Sequence, residues 1–268
     1  MRISQHFFKS NSTDLFGALF LPDKQVHSSG YVVCHPFAEE KKSGQKTLVD
    51  LSRRLAAKGN SVFMFDFQGC GDSGSTIAQT TIRDWQINIT DGIDFFKQKT
   101  GLEKITLIGL RSAATLLLSP AVDKKSVKKL MLLEPVPSLI KHIEDFIKQK
   151  LVNDLLTYGK IETNKGVLMD HLLNGRSIDL NGYEISSEFY QSCIDFDREL
   201  ETMTIHPDLD IDVISISVSG VVSKDCARFY QKFMCDHPAE VQAIKLDAFW
   251  NKVDGVKADA LWEIIDQL

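Results

Sequence analysis

Short apolar or alternating runs recur along the chain, separated by segments with the three-to-four-residue spacing of amphipathic helices. Gln5–Lys9 and Leu15–Leu21 alternate as an antiparallel strand pair at a sheet edge. Gly30–Cys34, Ser61–Phe67, Lys104–Ile108, Val127–Leu133, Asp212–Val218 and Val241–Ala248 are period-2 or all-apolar runs, as the strands of a largely parallel, doubly covered sheet should be. Between them, Lys46–Lys58 carries Leu48, Leu51, Leu55 and Ala56 on one face and closes at Gly59-Asn60. Thr81–Lys99 carries Trp85, Ile89, Ile93 and Phe96, a helix begins over Ala113–Leu118, and helices follow at Lys224–Cys235 and Ala258–Leu268. This alternation predicts an α/β fold with a mostly parallel central sheet flanked by helices.

The alternation lapses from about Ser138 to Pro207. Ser138–Tyr158 reads as a helix with Leu139, Ile140, Ile143, Phe146, Ile147, Leu151 and Leu155 on one side, and Ser187–Leu200 as a second. A structureless connection of that length is improbable in a compact domain, so the segment reads as an inserted helical cap. The expected organisation is a core of residues 1–137 and 208–268 with a cap insertion at 138–207.

Composition narrows the function classes. The 268 residues are 43% hydrophobic and 25% charged, ordinary globular material, and the net charge of -5 has no basic block that would suggest nucleic acid. The lysines at 124, 125, 128 and 129 read as a solvated face beside a strand. Met1 to Asn11 has no apolar stretch of signal-peptide length and no run approaches a membrane span, so membrane insertion is not expected. Five scattered cysteines without a CxxC pair suit a reduced, cytoplasmic compartment, and the seven histidines show no metal-ligand spacing. The turn Gly69-Cys70-Gly71-Asp72-Ser73-Gly74 mimics a phosphate loop, but no ribose-binding acid follows about 20 residues on. No cofactor is implied.

Three strings carry chemistry. His35-Pro36-Phe37-Ala38-Glu39-Glu40 follows an early strand, Asp66-Phe67-Gln68-Gly69-Cys70-Gly71-Asp72-Ser73 follows the next, and Gly109-Leu110-Arg111-Ser112-Ala113 forms a sharp strand-to-helix turn. Together they resemble the α/β-hydrolases, and within them the exosortase A (PEP-CTERM) system-associated hydrolase 2 branch. The resemblance covers residues 15–135 well and the remainder loosely. It implies an α/β-hydrolase fold, with the first string as the oxyanion-hole loop and the third as the nucleophile elbow, G-x-S-x-G in a serine hydrolase. It also implies a context of exopolysaccharide and surface-protein production.

At this elbow the nucleophile position is Arg111. A guanidinium stays protonated at any ordinary pH and serves neither as nucleophile nor as general base. The nearest hydroxyl is Ser112, which reads either as a helix-start hydroxyl or as a shifted nucleophile. No histidine occurs in Asp247–Asn251 after the last strand, and no acid follows Ser219-Gly220 before Asp225. His206 and His237 precede prolines and read as loop residues, and Cys34 and Cys70 as buried small apolar residues. An active enzyme would therefore need an unusual constellation such as Ser112, His35 and Glu134. The ligand-facing candidates are Arg111, His35, Phe37, Glu39, Glu40, Leu110, Ser112 and Trp250. Arg111 either receives an anionic ligand at a helix N-terminus or pairs internally with Glu134, Glu39 or Glu40. Three readings stand open: a hydrolase of ester or thioester-type bonds, a catalytically inactive relative that binds an anionic or acyl ligand or a protein partner, and acyl-transfer or lyase chemistry.

Overall fold

The computed structural model describes residues 1–252 and 255–267. Two long strands, β1 (Arg2–Ser10) and β2 (Thr13–Leu21), form the expected antiparallel pair, and β2 continues antiparallel onto Ser61–Phe65. The parallel strands are β3 (Ser29–Cys34), β4 (Ser61–Phe65), β5 (Lys104–Leu110), β6 (Val127–Leu133), β9 (Asp210–Ser217) and β10 (Val241–Lys245). The sheet runs β1-β2-β4-β3-β5-β6-β9-β10. Each sequence-predicted strand is present with its ends moved by a few residues.

The continuous apolar runs exist because both faces of the sheet are covered. Tyr31, Val33, Val62, Ile108, Leu110, Met131 and Leu133 pack under α1 (Ala38–Ala57) and α8 (Asp259–Ile265). The alternate residues Val32, Phe63, Phe65, Leu107, Leu130 and Leu132 pack under α2 (Ile82–Thr100), whose Trp85, Ile89, Ile93 and Phe96 are buried as the spacing predicts. Thr81 and Asp84 close a reciprocal capping box at the start of α2. The short α3 (Ser112–Leu116) and α7 (Lys224–Phe233) complete the flanking layers. Leu268, the last residue of the predicted C-terminal helix, lies outside the described residues.

Two local departures matter. The predicted helix at Lys46 begins instead at Ala38, so Glu39 and Glu40 stand in its first turn. Residues 38–45 are largely polar and give no apolar period, because Glu40 is buried there through charge pairing. Between β6 and β9 the chain forms α4 (Leu139–Tyr158), α5 (Lys165–Leu173), the hairpin β7 (Ile178–Leu180) and β8 (Tyr183–Ile185), and α6 (Ser187–Thr202). The two long helices match expectation, whereas α5 and the hairpin lie in a stretch the periodicity left blank. Asn181 and Gly182 turn the hairpin at φ 56° and 92°, the positive-φ pair such a turn needs. Phe146, Ile147, Leu172, Phe189 and Phe196 of this insertion belong to the same buried cluster as the α2 side of the sheet.

Candidate functional site

Ligand sites in open parallel sheets form at the carboxyl ends of the strands. Here those ends carry His35-Pro36-Phe37 after β3, Asp66 after β4, Arg111 after β5 and Glu134 after β6. Gly109 makes the elbow sharp, since a Cβ there would stand 2.7 Å from Ala114 backbone atoms. Arg111 follows at φ 56° and ψ -119°, its N–H bonded to the Leu133 carbonyl at 2.9 Å. This left-handed backbone strain is what lifts the elbow side chain above the sheet.

The lifted side chain is sealed into an internal network. Arg111 Nε donates to Glu40 Oε1 at 3.2 Å and Nη1 to the Glu134 carbonyl at 3.3 Å. Its guanidinium lies over the Trp250 ring, 5.2 Å from the centroid, and the side chain is only 11% exposed. Trp250 comes from the segment after the last strand that would supply a catalytic histidine in a serine hydrolase of this topology. Among the sequence candidates for Arg111's partner, the carboxylate is therefore that of Glu40. Glu39 faces solvent beside Lys42, and the Glu134 carboxylate accepts from the Ile216 N–H at 2.6 Å, from Ser215 Oγ at 3.1 Å and from Ser223 Oγ.

A residue absent from the sequence-derived set completes the cluster. His142 Nε2 stands 3.2 Å from Glu40 Oε2, off the line of a hydrogen bond, so both buried atoms lack a hydrogen-bond partner. Burial pushes the Glu40 carboxyl upward, but the nearby His142 and Arg111 outweigh it and hold the group below the ordinary carboxylate value. His142 sits in the first turn of α4, whose start is anchored from α6: Asp197 accepts from the Leu139 and Ile140 N–H groups at 2.8 and 3.1 Å and from Ser138 Oγ at 2.6 Å. The readable signal was a histidine three residues after Leu139, on the buried face of an apolar helix.

The loop after β3 and the elbow are hydrogen-bonded to each other. In a hydrolase of this topology the hole joins the N–H after the nucleophile to one from the loop after β3. Here the Phe37 N–H of that loop donates to Ser112 Oγ at 3.1 Å. Ser112 has no hydrogen bond to a histidine among the described residues. His35 donates from Nδ1 to the Pro36 carbonyl at 2.7 Å and accepts the Phe67 N–H on Nε2 at 3.1 Å, so both ring nitrogens are held by backbone. Burial, helped by the Lys41 charge and opposed by Asp66, lowers its pKa to about 4. Ser112, His35 and Glu134 thus stand at neighbouring strand ends, each engaged elsewhere.

Beside Ser112 lies a cleft walled by Phe37, Trp85, His142, Phe189 and Cys193. Phe37 stacks on Phe189 at 5.6 Å between centroids and meets Phe146 edge-on. These rings leave about 10 Å³, room for a single water. Leu110 lies on the other side of the sheet, against Gly44 of α1. The Asp66–Ser73 string is a pinned turn: Asp66 accepts the Asp72 N–H at 3.1 Å and pairs with Lys41 at 2.9 Å, and Ser73 Oγ donates to the Asp66 carbonyl at 2.6 Å. Burial pushes the Cys34, Cys70 and Cys193 thiols up, away from nucleophilic thiolate character. His206 is exposed and His237 is buried, its Nδ1 accepting the Ala239 N–H at 3.1 Å. Among the described residues no group of three or more His, Cys, Asp or Glu could hold a metal ion, and no helix is long and apolar enough to cross a membrane.

No protein-family model and no curated protein sequence matches the chain. Solved structures do. Est1E from Butyrivibrio proteoclasticus with bound ferulic acid superposes with a TM-score of 0.66 at 13% identity, over 98% of this chain and 96% of its own. The α/β hydrolase GrgF from Penicillium sp. sh18 gives 0.63 at 16% identity, over 99% and 97%. The esterase domain of a Rhodothermus marinus protein gives 0.60 at 16%, over 100% and 96%. The chain has the α/β-hydrolase fold, with a mostly parallel sheet and flanking helices.

Proposed function

We propose that this chain is a catalytically silent α/β-hydrolase-fold protein that acts by binding rather than by acyl transfer. One observation carries the reading: the elbow side chain is a cation locked onto Glu40, while the loop donor that would stabilise an oxyanion is engaged by Ser112 Oγ. Both places where a serine hydrolase develops its chemistry are filled by the protein's own atoms. Glu40 already neutralises Arg111, which weakens the case for an anionic ligand. The aromatic walls beside Ser112 favour an acyl or other apolar group, admitted when the rings part. The His35–Glu40, Gly69–Ser73 and Gly109–Arg111 strings support a place beside the exosortase A-associated hydrolases, in the production of exopolysaccharide or surface protein.

The second reading, an ester or thioester hydrolase, draws on the similarity to the esterase domain of the Rhodothermus marinus protein. An assay separates the two. The wild type, Arg111→Ser and Ser112→Ala are each incubated with p-nitrophenyl acetate and with a fluorophosphonate probe. The silent reading expects no turnover above buffer and no labelling in the wild type. Wild-type turnover that disappears in Ser112→Ala overturns it.

A further inference from the structure

Residues 119–126 lead into β6 and residues 203–209 lead into β9, its neighbour in the sheet, so the two connections meet at the amino ends of these strands, away from the elbow. Between them opens a cleft of about 480 Å³, within the roughly 300 to 1,000 Å³ of small-molecule sites. Its walls are aliphatic, with Leu118 and Val122 on one side and Met203, Ile205 and Leu209 on the other. The first wall is fixed to α2. Ser119 Oγ accepts from Gln86 Nε2 at 2.9 Å and from the Ala121 N–H at 3.1 Å, and Thr90 Oγ1 accepts the Asp123 N–H at 3.2 Å. A cleft held in this way is preformed, and a ligand entering it does not have to order the wall.

One cation stands in this apolar setting. Of the four lysines that the sequence placed on a solvated face, Lys125 and Lys128 are exposed, and Lys129 pairs with Asp212 at 2.8 Å and Asp210 at 3.5 Å. Lys124 is half-buried in the cleft wall and has no carboxylate at ion-pair distance among the described residues. Its Nζ donates to two backbone carbonyls at the end of α3, that of Leu118 at 3.4 Å and that of Ser119. An ammonium has three N–H donors, so one remains for a ligand. Burial pushes the Lys124 pKa down to about 8 against the opposing pull of Asp123 and Glu199, as expected of a cation short of a counter-charge. A half-buried cation among aliphatic side chains is best matched by an anion that brings its own apolar tail. A bare inorganic anion would leave the walls unused, and a neutral alkyl group would leave the charge unmatched.

We propose that this cleft binds aliphatic carboxylates of medium chain length, with the carboxylate on Lys124 Nζ and the tail between Leu118, Met203, Ile205 and Leu209. The site is independent of whether the elbow is silent. Isothermal titration calorimetry of the full chain with octanoate tests it, beside octan-1-ol, which lacks the charge, and acetate, which lacks the tail. Octanoate should bind one-to-one with a dissociation constant of about 1 mM or below, at least about tenfold tighter than either control. Lys124→Met should weaken octanoate at least about tenfold and leave octan-1-ol within about twofold, because only the charged hydrogen bond is lost. Lys124 also holds the end of α3, so Ile205→Glu provides a second test that keeps it: the new carboxylate occupies the ammonium from the facing wall and should abolish octanoate binding. Three results each overturn the proposal: no saturable octanoate binding by the wild type, octan-1-ol bound as tightly as octanoate, or octanoate affinity unchanged in Lys124→Met or in Ile205→Glu. The last would place any bound octanoate elsewhere, such as the cleft beside Ser112, and would leave the reading of the elbow untouched.

Discussion

At the scale of single residues, a buried guanidinium needs a carboxylate, and a buried carboxylate with two cationic or imidazole neighbours is held ionised. Removing either partner strands the other. Glu40→Gln should therefore destabilise the fold by about 3 kcal/mol, the usual cost of breaking a buried ion pair. Arg111→Met should cost a comparable amount, while the double variant should cost clearly less than the sum. Urea unfolding of the four proteins measures this; additive losses would show that the pair is not coupled. His35 sets a second expectation. Its folded pKa of about 4 lies below the ordinary histidine value of 6.5, so its contribution is complete above pH 6.5 and is lost as pH falls toward 4. The loss amounts to roughly 3 kcal/mol, since each tenfold change in proton affinity is worth about 1.36 kcal/mol. Unfolding free energies measured from pH 7 to 4 should fall more steeply for the wild type than for His35→Asn, and parallel curves would refute the assignment.

At the scale of elements, the elbow keeps its strained form without a nucleophile to present. The cause is local packing: β5 runs into α3 so closely that position 109 has no room for a Cβ, and the Arg111 N–H is tied to the end of β6. Gly109→Ala must push α3 away from the sheet, with an expected loss of about 2 kcal/mol or more, typical of overpacking. A melting temperature within a degree of the wild type would mean that α3 yields freely. Elements also show what the sequence could reveal. The parallel strands were legible because burial writes all-apolar runs at the centre of the sheet, as in β3 and β4, and period-2 runs toward its edge, as in β10. The start of α1 was not, because the buried positions of its first turn are Ala38 and Glu40, the second a charge that hydropathy counts as exposed. The β7–β8 hairpin carried a readable Asn181-Gly182 signal, but each of its strands is three residues long, too short for a period to emerge. The Arg111 substitution was visible from its motif. Glu40 stood among its candidate partners, but the choice of Glu40 over Glu39 and Glu134, the Trp250 ring under the guanidinium and the approach of His142 to Glu40 were not legible, since those residues come from α1, the segment after β10 and α4, and only tertiary folding brings them together.

At the scale of the whole molecule, the insertion and the sheet are joined twice over. His142 of α4 leans on Glu40 of α1, and one apolar cluster runs without a break from Leu107 and Leu130 of the sheet through Trp85 and Phe37 to Phe146 and Phe189. Stacked rings there leave space for about one water. A domain whose core is shared in this way should unfold as a unit, since opening the insertion alone exposes the aromatic face of the sheet. Calorimetry should accordingly show a single transition, with van't Hoff and calorimetric enthalpies agreeing. Phe189→Ala should lower that transition as a whole, by about 3 to 5 kcal/mol for a buried phenylalanine, and leave an apolar hole beside Ser112. An engineered hole of this kind stays dry and admits a small aromatic guest. Benzene or indole should therefore raise the melting temperature of Phe189→Ala and leave the wild type unmoved. Two separate transitions in the wild type would instead make the insertion a domain of its own, able to lift from the elbow without unfolding the sheet.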